Sequence, residues 1–397
     1  MKRSKNPTTS SKFLPPEVWN QILSKFPAKT LLKFRCVCKY WRSIIDNPNF
    51  VQIHFQHSQF NSENNRLLVA LEGMGCSGDQ GYLLTVRDAQ TLGIFDRIFR
   101  THSYKYRIIT SCNGLLLVAQ FRYNYNQEEE LRLWNPCIRK SLLLPTCPFR
   151  PYFLDGLNCY LFGIAPRSKD YKVVAFKFKV DDTLGEEGKK MLLAVYTLSN
   201  RQWTVRNDPV NFTNLNIISM DGLFCNLSTA VFFRGATYWL GNNDKQRRLL
   251  THLCSFDFDT ESITCLELPF SVDEKCFFLF LFLLGESLAI FRISPITCSI
   301  WVLDQDNEKG PWTLRFSGKS SWDGFKVFNL CYVKCRKVLY CETDGGYFVC
   351  GDKTYNIAIG KVEPLKISLS SHFYLETYSE SLALSTGYGS RDLRSFP

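Results

Sequence analysis

The sequence predicts two parts of different fold class, a small helical module at the N-terminus and a large all-β body after it. Up to about residue 50, apolar side chains recur at helical spacings of three and four. After about residue 60, short runs rich in aromatic and β-branched residues alternate with turn residues, as strands do. One unit in this body recurs with a period of about 50 residues, which indicates propeller blades. The fold class is therefore α+β multidomain.

The helical module begins with two prolines. Pro15 and Pro16 preset a helical φ and predict a helix from about Pro16 to Lys25, which Pro27 prevents from continuing. A second apolar stripe predicts one further helix or a pair of short helices: Leu31, Phe34, Cys38, Trp41 and Ile45. Asn47-Pro48 is expected to end this run. So short a segment cannot bury all of its apolar surface alone, and part of the stripe is expected to face another protein.

These residues resemble the F-box in the form common in plants. The matching positions are Leu14-Pro15, Ile22-Leu23, Phe26-Pro27, Leu31-Leu32, Phe34-Arg35-Cys36-Val37-Cys38-Lys39, Trp41-Arg42 and Pro48-Asn49-Phe50. Cys38 and Tyr40 stand where a serine is more usual, and neither change removes apolar contact area. The resemblance implies docking onto the Skp adaptor of a cullin-RING ubiquitin ligase, whose cullin and RING protein are then indirect partners.

The residues expected to contact the adaptor are Leu14, Pro15, Ile22, Leu23, Leu31, Phe34, Val37, Cys38, Trp41 and Ile45. An alternative stays open for Leu31, Phe34 and Ile45, which could serve only the core of the module. Cys36-x-Cys38 lacks a second ligand pair nearby, so core packing is expected there rather than a metal.

The charge of the chain is concentrated in the helical module and the tail before it. Residues 1–55 hold ten Lys and Arg against two Asp and Glu, which is +8 of the total +11. Arg35, Lys39 and Arg42 are expected on one face of the module, where they would suit an acidic partner surface. The body is nearly neutral, so a nucleic-acid footprint is not expected there.

The sequence predicts a cytoplasmic protein, a nuclear one, or both. The first 13 residues lack the apolar region of a secretory signal. Sixteen cysteines in a chain of this length then indicate reduced thiols rather than a disulfide framework. The longest apolar run, Cys276 to Leu284, is too short for a membrane helix and is interpreted as a buried strand.

The body contains regularly spaced candidate strands. The clearest runs are Arg66–Leu71, Tyr82–Val86, Gly114–Val118, Tyr171–Phe178, Leu192–Leu198, Ala230–Leu240, Leu288–Ile293 and Val338–Cys341. The repeated unit has a turn anchored at Asp88, Asn135, Asn200, Asp259, Asp304 and Asp352, with spacings of 47, 65, 59, 45 and 48 residues. These spacings predict a kelch-like propeller of six blades. The first blade offers only three strands, and the run from His372 to Leu382 is expected to supply the fourth.

Strand order sorts the connections onto two faces. If each anchor turn joins the third strand to the fourth, the first-to-second connections share its face and are short. The long connections then gather on the other face, where binding function usually lies. Five residues in them are candidates for substrate contact: Tyr123, Tyr125, Arg247, Arg248 and Trp322.

The body also resembles the plant F-box-associated domain, through SCNGLLLV, LWNPCIRKSLLLP, DYKVVAFKF, AVYTLSNRQW, GATYWL and SFDFDTESITCLELP in that order. The family, which includes S-locus F-box proteins of self-incompatibility, implies capture of a protein substrate. The predicted division is a disordered basic tail (1–11), the F-box (12–55), a linker (56–65), the β-propeller domain (66–385) and a disordered tail (386–397).

No catalytic, cofactor or metal site is predicted. The five histidines lack HExxH spacing, and neither a GxSxG elbow nor a phosphate loop occurs. Cys331, Cys335, Cys341 and Cys350 lie on predicted strands without CxxC spacing. The leading hypothesis is therefore a non-catalytic substrate receptor of a ubiquitin ligase. The alternatives are a propeller-type ligand sensor or enzyme tethered to the adaptor and, less favoured by the charge, a nucleic-acid binder.

Overall fold

A computed structural model gives the architecture of the chain. It describes residues 14–60, 67–74, 81–88, 94–101, 104–122, 129–149, 159–179, 190–206, 230–241, 251–270, 278–294, 297–304, 311–319, 327–333, 338–343, 346–353, 356–358, 370–385 and 391–392. Four helices come first, and every later described element is a strand. None of the helices in these ranges combines the length and apolar character needed to cross a membrane.

The N-terminal module, residues 14–60, contains the four helices. They are α1 (Pro16–Leu23), α2 (Ala28–Phe34), α3 (Lys39–Ile45) and α4 (Pro48–Phe60). The first helix starts at the predicted proline, and the second stripe forms a pair of short helices. The sequence was expected to end its helical run at Asn47-Pro48, followed by a linker over 56–65, but α4 extends to Phe60. Proline is compatible with the first helical position, and Asn47 Oδ1 accepts a bond of 2.8 Å from the Asn49 N–H.

The strands are short and follow each other closely. In chain order they are β1 Leu67–Met74, β2 Gly81–Asp88, β3 Ile94–Thr101, β4 Tyr104–Cys112, β5 Leu115–Arg122, β6 Glu130–Asn135, β7 Lys140–Leu143, β8 Cys159–Ala165, β9 Asp170–Lys179, β10 Lys190–Thr197, β11 Gln202–Arg206, β12 Val231–Phe233, β13 Ala236–Gly241, β14 His252–Asp257, β15 Ser262–Glu267, β16 Phe278–Leu284, β17 Ser287–Ile293, β18 Thr297–Leu303, β19 Trp312–Lys319, β20 Val327–Val333, β21 Val338–Thr343, β22 Gly346–Lys353, β23 Asn356–Ala358, β24 Ser370–Tyr378 and β25 Arg391–Asp392.

These strands form six antiparallel sheets, which confirms the predicted six-bladed propeller. Blade one has the order β24-β1-β2-β3, and blades two to six are β4–β7, β8–β11, β12–β15, β16–β19 and β20–β23. The first strands of successive blades lie side by side, as β4 does with β8, β16 with β20 and β20 with β24. The apolar run predicted as a buried strand becomes β16.

All six anchor residues occur where the third strand of a blade meets the fourth, either in the connection or within the last two residues of the third strand. Asn135 illustrates the reason for the residue type, since its Oδ1 accepts a bond of 3.4 Å from the Ile138 N–H within the turn. The first-to-second connection of blade two is a two-residue turn, in which Asn113 (φ 50°) and Gly114 (φ 73°) adopt the left-handed backbone that such hairpins need. The short connections therefore share one end of the blades, which we call the short-turn face.

The C-terminal strand closes the ring. β24 pairs with β1 from Leu67 opposite Tyr378 to Gly73 opposite Ser370. The sequence prediction that a late run supplies the missing strand of blade one is thus confirmed, with the strand at 370–378 rather than 372–382. The sequence also predicted a disordered tail from residue 386, whereas Arg391 and Asp392 pair with the outer edge of β7. An edge strand offers unpaired backbone groups, which explains this addition.

Residues 378–385, here called the closing segment, leave β24 and cross onto blade two. Asn135 Nδ2 donates to the carbonyls of Ser381 and Ala383, both at 2.8 Å. The Tyr378 hydroxyl donates to Asn135 Oδ1 at 3.3 Å and accepts from the Cys137 N–H at 3.1 Å. Because Asn135 and Tyr378 are buried, these bonds have little competition from water. The closing segment thereby joins blade one to blade two.

Gly114 is required where the closing segment passes the hairpin of blade two. A Cβ at this position would lie 2.5 Å from the Ser379 carbonyl oxygen and 2.6 Å from Ser381 Cβ. Its positive φ is a second reason for glycine, since a side chain would strain the turn. The Asn-Gly pair thus forms the tight turn of the hairpin, and its glycine leaves room for the closing segment to pass.

The N-terminal module is attached to the propeller at the same place. Glu380 Oε2 accepts a bond of 3.0 Å from the Ala28 N–H, the first amide of α2. Pro27, which precedes this helix, provides no side-chain cap, so a carboxylate from the closing segment meets the positive end of the helix. One continuous cluster of buried apolar residues includes Leu31 and Ile45 of the module together with Tyr378 and other side chains of blades one and two. The module therefore sits on the short-turn face.

The long connections leave the blades at the opposite face. Those after β5, β9 and β13 join second to third strands, and those after β11 and β19 join one blade to the next. Alternation of strand direction puts both kinds at the end away from the anchor turns. The predicted parity is confirmed, and the strand ends that the long connections join lie at the end of the propeller opposite the module.

Removal of the closing strand should unfold the propeller. A chain ending at residue 369 lacks β24 and the closing segment, so β1 becomes an unpaired inner edge and Asn135 loses its partners. We expect rapid, extensive cleavage in limited proteolysis. A chain ending at residue 386 keeps the closure and serves as the control. A protease-resistant body of the same size from both chains would contradict this role of β24.

Glu380→Ala should loosen the module without unfolding the propeller. The variant removes the acceptor of an otherwise uncapped helix N-terminus, and losses of this kind cost about 0.5–2 kcal/mol. Hydrogen exchange should become faster at the first amides of α2 and stay unchanged in the central strands of blade three. Glu267→Ala, an exposed glutamate of blade four, is the control. Equal exchange of α2 in both variants would show that Glu380 does not hold the helix.

Candidate docking site

The N-terminal module carries most of the exposed large apolar side chains. Among the described residues there are ten, and six lie in this module of 47 residues. These six, called here the exposed apolar set, are Leu14, Ile22, Phe26, Val37, Tyr40 and Ile53. Val37 is the most exposed, at 63%. Isolated exposed apolar residues are ordinary, but such a concentration is typical of a protein interaction surface.

Four aromatic rings in contact stiffen the module, and one of them, Phe26, also belongs to the exposed apolar set. Trp19 of α1 and Phe34 of α2 each lie against Trp41 of α3, with ring centroids 5.4 and 5.2 Å apart. Phe26 meets Phe34 edge to face at 5.1 Å. Such pairs contribute roughly 0.5–1.5 kcal/mol beyond burial of their area. The row of rings connects three short helices that would be marginal alone.

His54 ties α4 to the end of α1. Its Nε2 donates to the Phe26 carbonyl at 3.0 Å, and the ring is almost fully buried. Burial lowers the pKa of His54, because desolvation disfavours the imidazolium. The neutral ring thus holds the backbone beside Phe26 in place.

A basic depression lies where α2 meets α3, and its lining residues flank Val37 and Tyr40 in the sequence. It has a volume of about 420 Å³ and is lined by Leu32, Arg35, Cys36, Cys38, Lys39 and Arg42. Arg35 forms an ion pair with Asp46, with Nε 2.6 Å from Oδ1, and its Nη2 donates a hydrogen bond of 3.1 Å to Oδ2. Lys39 and Arg42 remain exposed, and Arg42 lies 3.5 Å from the same carboxylate. The three cations thus lie together, as expected, with a net positive charge towards solvent.

Cys38 replaces the usual serine as a helix cap. It has extended backbone at the N-cap of α3, and its Sγ accepts a bond of 3.4 Å from the Trp41 N–H. A thiol therefore takes the role in which serine is common. Cys36 and Cys38 are both exposed, so the expected core packing of this pair is wrong. They lie in the connection between α2 and α3, which turns outward rather than into the apolar stripe.

The structure divides the residues expected to contact an adaptor into three groups. Leu14, Pro15, Ile22, Val37 and Cys38 are exposed, and Phe34 and Trp41 are half-buried. Leu23, Leu31 and Ile45 are at most 1% exposed, so a partner cannot touch them in this arrangement. For Leu31 and Ile45 this agrees with the alternative of core packing. Leu23 was expected to be a direct contact, and its packing into the module excludes that role here.

Three residues of the exposed apolar set, Phe26, Tyr40 and Ile53, were not identified as contacts from the sequence. Tyr40 and Ile53 lie off the apolar stripe, and helical spacing gives them no distinct signal. Phe26 was recognised in the motif but not as a contact. Its position just before Pro27, beyond the end of α1, was the available signal, because a ring at a helix end has fewer neighbours to cover it.

The candidate substrate contacts Tyr123, Tyr125, Arg247, Arg248 and Trp322 lie outside the described residues. The same is true of Cys335, and the strands carrying Cys331, Cys341 and Cys350 are described only as strands. No group of three or more metal-binding side chains occurs within the part of the chain that the structure describes.

Comparison with known proteins agrees with this architecture. Residues 13–52 match the family model of the F-box domain, and residues 86–375 match that of the F-box associated beta propeller domain. A putative F-box/kelch-repeat protein of Arabidopsis thaliana is 25% identical over 354 residues, covering 86% of this chain and 81% of the relative. The putative F-box only protein 9 of the same plant is 24% identical over 332 residues, covering 80% and 78%.

Among solved structures, the β-propeller domain of Cps50 (Swd1) from Myceliophteria thermophila is similar with a TM-score of 0.38 and 11% identity, covering 76% of this chain and 85% of that one. The family matches account for both parts of the molecule, with the helical module first and the six-bladed body after it. The chain therefore belongs to the family of F-box proteins that carry an F-box-associated β-propeller domain.

Proposed function

We propose that this chain is the substrate-recognition subunit of an SCF-type cullin-RING ubiquitin ligase. The F-box binds a Skp adaptor, and the propeller binds the protein to be ubiquitinated. The observation that carries the proposal is the exposed apolar set beside the basic depression, on a module fixed to the end of the propeller opposite the long connections.

Adaptor docking would use only the exposed part of the F-box. Leu14, Ile22 and Val37 supply apolar area that docking removes from water, which stabilises a complex by about 25 cal/mol per Å² before its costs. Phe26 and Tyr40 add aromatic area of the kind enriched at interfaces. Lys39 and Arg42 would favour an adaptor with acidic side chains at the rim and accelerate association. Leu23, Leu31 and Ile45 support this surface from beneath.

Substrate capture is assigned to the face with the long connections. The module occupies the short-turn face, so an adaptor and a substrate can bind at opposite ends without competing. Ubiquitin transfer would then follow from proximity, because the bound substrate has a high effective concentration near the ubiquitin carrier enzyme. The chain itself would need no catalytic residue.

Val37→Asp should strongly weaken adaptor binding while the chain stays folded. The side chain is 63% exposed, so the substitution does little to the core, but it buries a charge if the adaptor covers it. A loss of about 2 kcal/mol or more is expected, which is roughly 30-fold in Kd. Titration of purified full-length protein with a recombinant plant Skp adaptor provides the measurement.

Val205→Asp is the matched control, since Val205 is an exposed valine on the outer strand of blade three. It should bind the adaptor like the wild type. Equal affinities of the two variants would contradict docking through this surface.

Substrates should accumulate with the Val37→Asp form in cells. Deleting residues 1–55 would expose apolar surface of blades one and two. The point variant avoids this exposure, so it separates substrate binding from adaptor binding better than the deletion does. Proximity labelling is compared between Val37→Asp, Val205→Asp and wild type, with and without proteasome inhibition. Target proteins should be labelled most strongly by Val37→Asp without inhibitor, and inhibition should remove the difference. Identical labelled sets at identical levels would contradict the receptor role.

A further inference from the structure

Blade four contains two thiols in contact. Cys254 of β14 stands directly opposite Cys265 of β15 in the antiparallel register, and the two Sγ atoms are 2.8 Å apart. Cys254 is fully buried against the apolar residues between blades three and four, whereas Cys265 is half-buried on the outermost strand. The blade thus holds a buried sulfur and a reachable one side by side.

The geometry suits a cross-strand disulfide. Residues directly opposite in antiparallel strands have Cα atoms about 4.5–5.5 Å apart, which lies within the disulfide range of about 4.4–6.8 Å. The sulfurs need to approach by less than about 1 Å to reach bonding distance. The hairpin already holds this register, because Asp257 Oδ1 accepts bonds from the Asp259 and Thr260 N–H groups at 2.9 and 2.7 Å. A bond between the sulfurs would therefore not require the strands to move.

The two thiols differ in reactivity. The hydrogen bond between the two sulfurs lowers the pKa of Cys265, because it favours the thiolate of that residue. The same contact, together with burial, raises the pKa of Cys254. The reachable sulfur is thus the better nucleophile, and the buried one keeps its proton until a bond to Cys265 changes its surroundings.

We propose that Cys254 and Cys265 form an oxidisable dithiol that exchanges with small-molecule disulfides of the glutathione class. The Cys265 thiolate attacks one sulfur of the oxidised molecule, whose S–S bond breaks and releases one thiolate. That thiolate takes the proton of Cys254, whose sulfur then attacks Cys265 and expels the second glutathione. Two protein thiols are oxidised, and one disulfide is reduced to two thiols.

This modification is independent of adaptor docking. The pair lies on blade four, whereas the module is fixed to blades one and two. The cross-link would join two strands that are already paired, so the oxidised protein keeps its fold. Its predicted effect is to secure the outer edge of this blade against local opening.

Mass spectrometry of the full-length wild-type protein tests the proposal. One tryptic peptide, residues 249–275, contains both cysteines and no others. After incubation with oxidised glutathione, alkylation in denaturant and digestion, this peptide should be unalkylated and lighter than the fully reduced peptide by two hydrogen atoms. A doubly alkylated peptide, or a stable glutathione adduct on Cys265, would overturn the proposal.

Variants resolve the order of the steps. Cys254→Ser should trap glutathione on Cys265, and Cys265→Ser should leave Cys254 alkylated. Cys147→Ser removes a half-buried cysteine from the connection between blades two and three and is the control, with the wild-type result expected for peptide 249–275. Because the wild-type digest decides the main question, a folding defect in either serine variant does not affect the outcome.

Discussion

The structure depends on the hydrogen bonds that Asn135 makes with the closing segment. Its amide donates to the carbonyls of Ser381 and Ala383 and its oxygen accepts from Tyr378, all in a buried site. These bonds connect the last part of the chain to blade two, after β24 has completed blade one. The pairing of β24 with β1 closes the ring, and the Asn135 bonds fasten the chain that follows β24 to blade two. Glu380, in the same segment, also meets the first amide of α2, so ring closure and attachment of the F-box share one structural element.

The F-box uses its apolar residues in two ways. Leu23, Leu31 and Ile45 are buried within this chain, while Leu14, Ile22 and Val37 remain exposed. A module so short cannot bury all of its apolar surface alone. Blades one and two cover part of that surface, and the rest is exposed. The proposed adaptor would therefore bind a surface that the propeller helps to hold in shape. An attached module of this kind also keeps a fixed direction relative to the blades, which matters for a proposed mechanism based on proximity.

Much of the fold follows from local patterns in the sequence. Turn residues at six regular positions predict hairpins, because Asn and Asp stabilise turns through their own side chains, and six blades result. Because successive strands run in opposite directions, their order alone predicts which connections share a face of the propeller. Tertiary contacts are not needed for this prediction. The prolines at positions 15, 16 and 27 place the first two helices. The prediction for the F-box was wrong at one helix boundary. Asn47-Pro48 was expected to end the helical run, whereas Pro48 is the first residue of α4.

The sequence by itself determined the order of elements, the blade number, the closing strand and the family, because each depends on local periodicity or on motifs in order. Only the tertiary structure decided which apolar F-box residues are accessible. Periodicity identifies a stripe on a helix, but it does not distinguish a stripe covered by the same chain from one left for a partner. Likewise, the pairing of Glu380 with Ala28 joins residues 352 positions apart, and the contact of Cys254 with Cys265 depends on the register of one hairpin. Such contacts arise from the packing of whole blades, which no local pattern encodes.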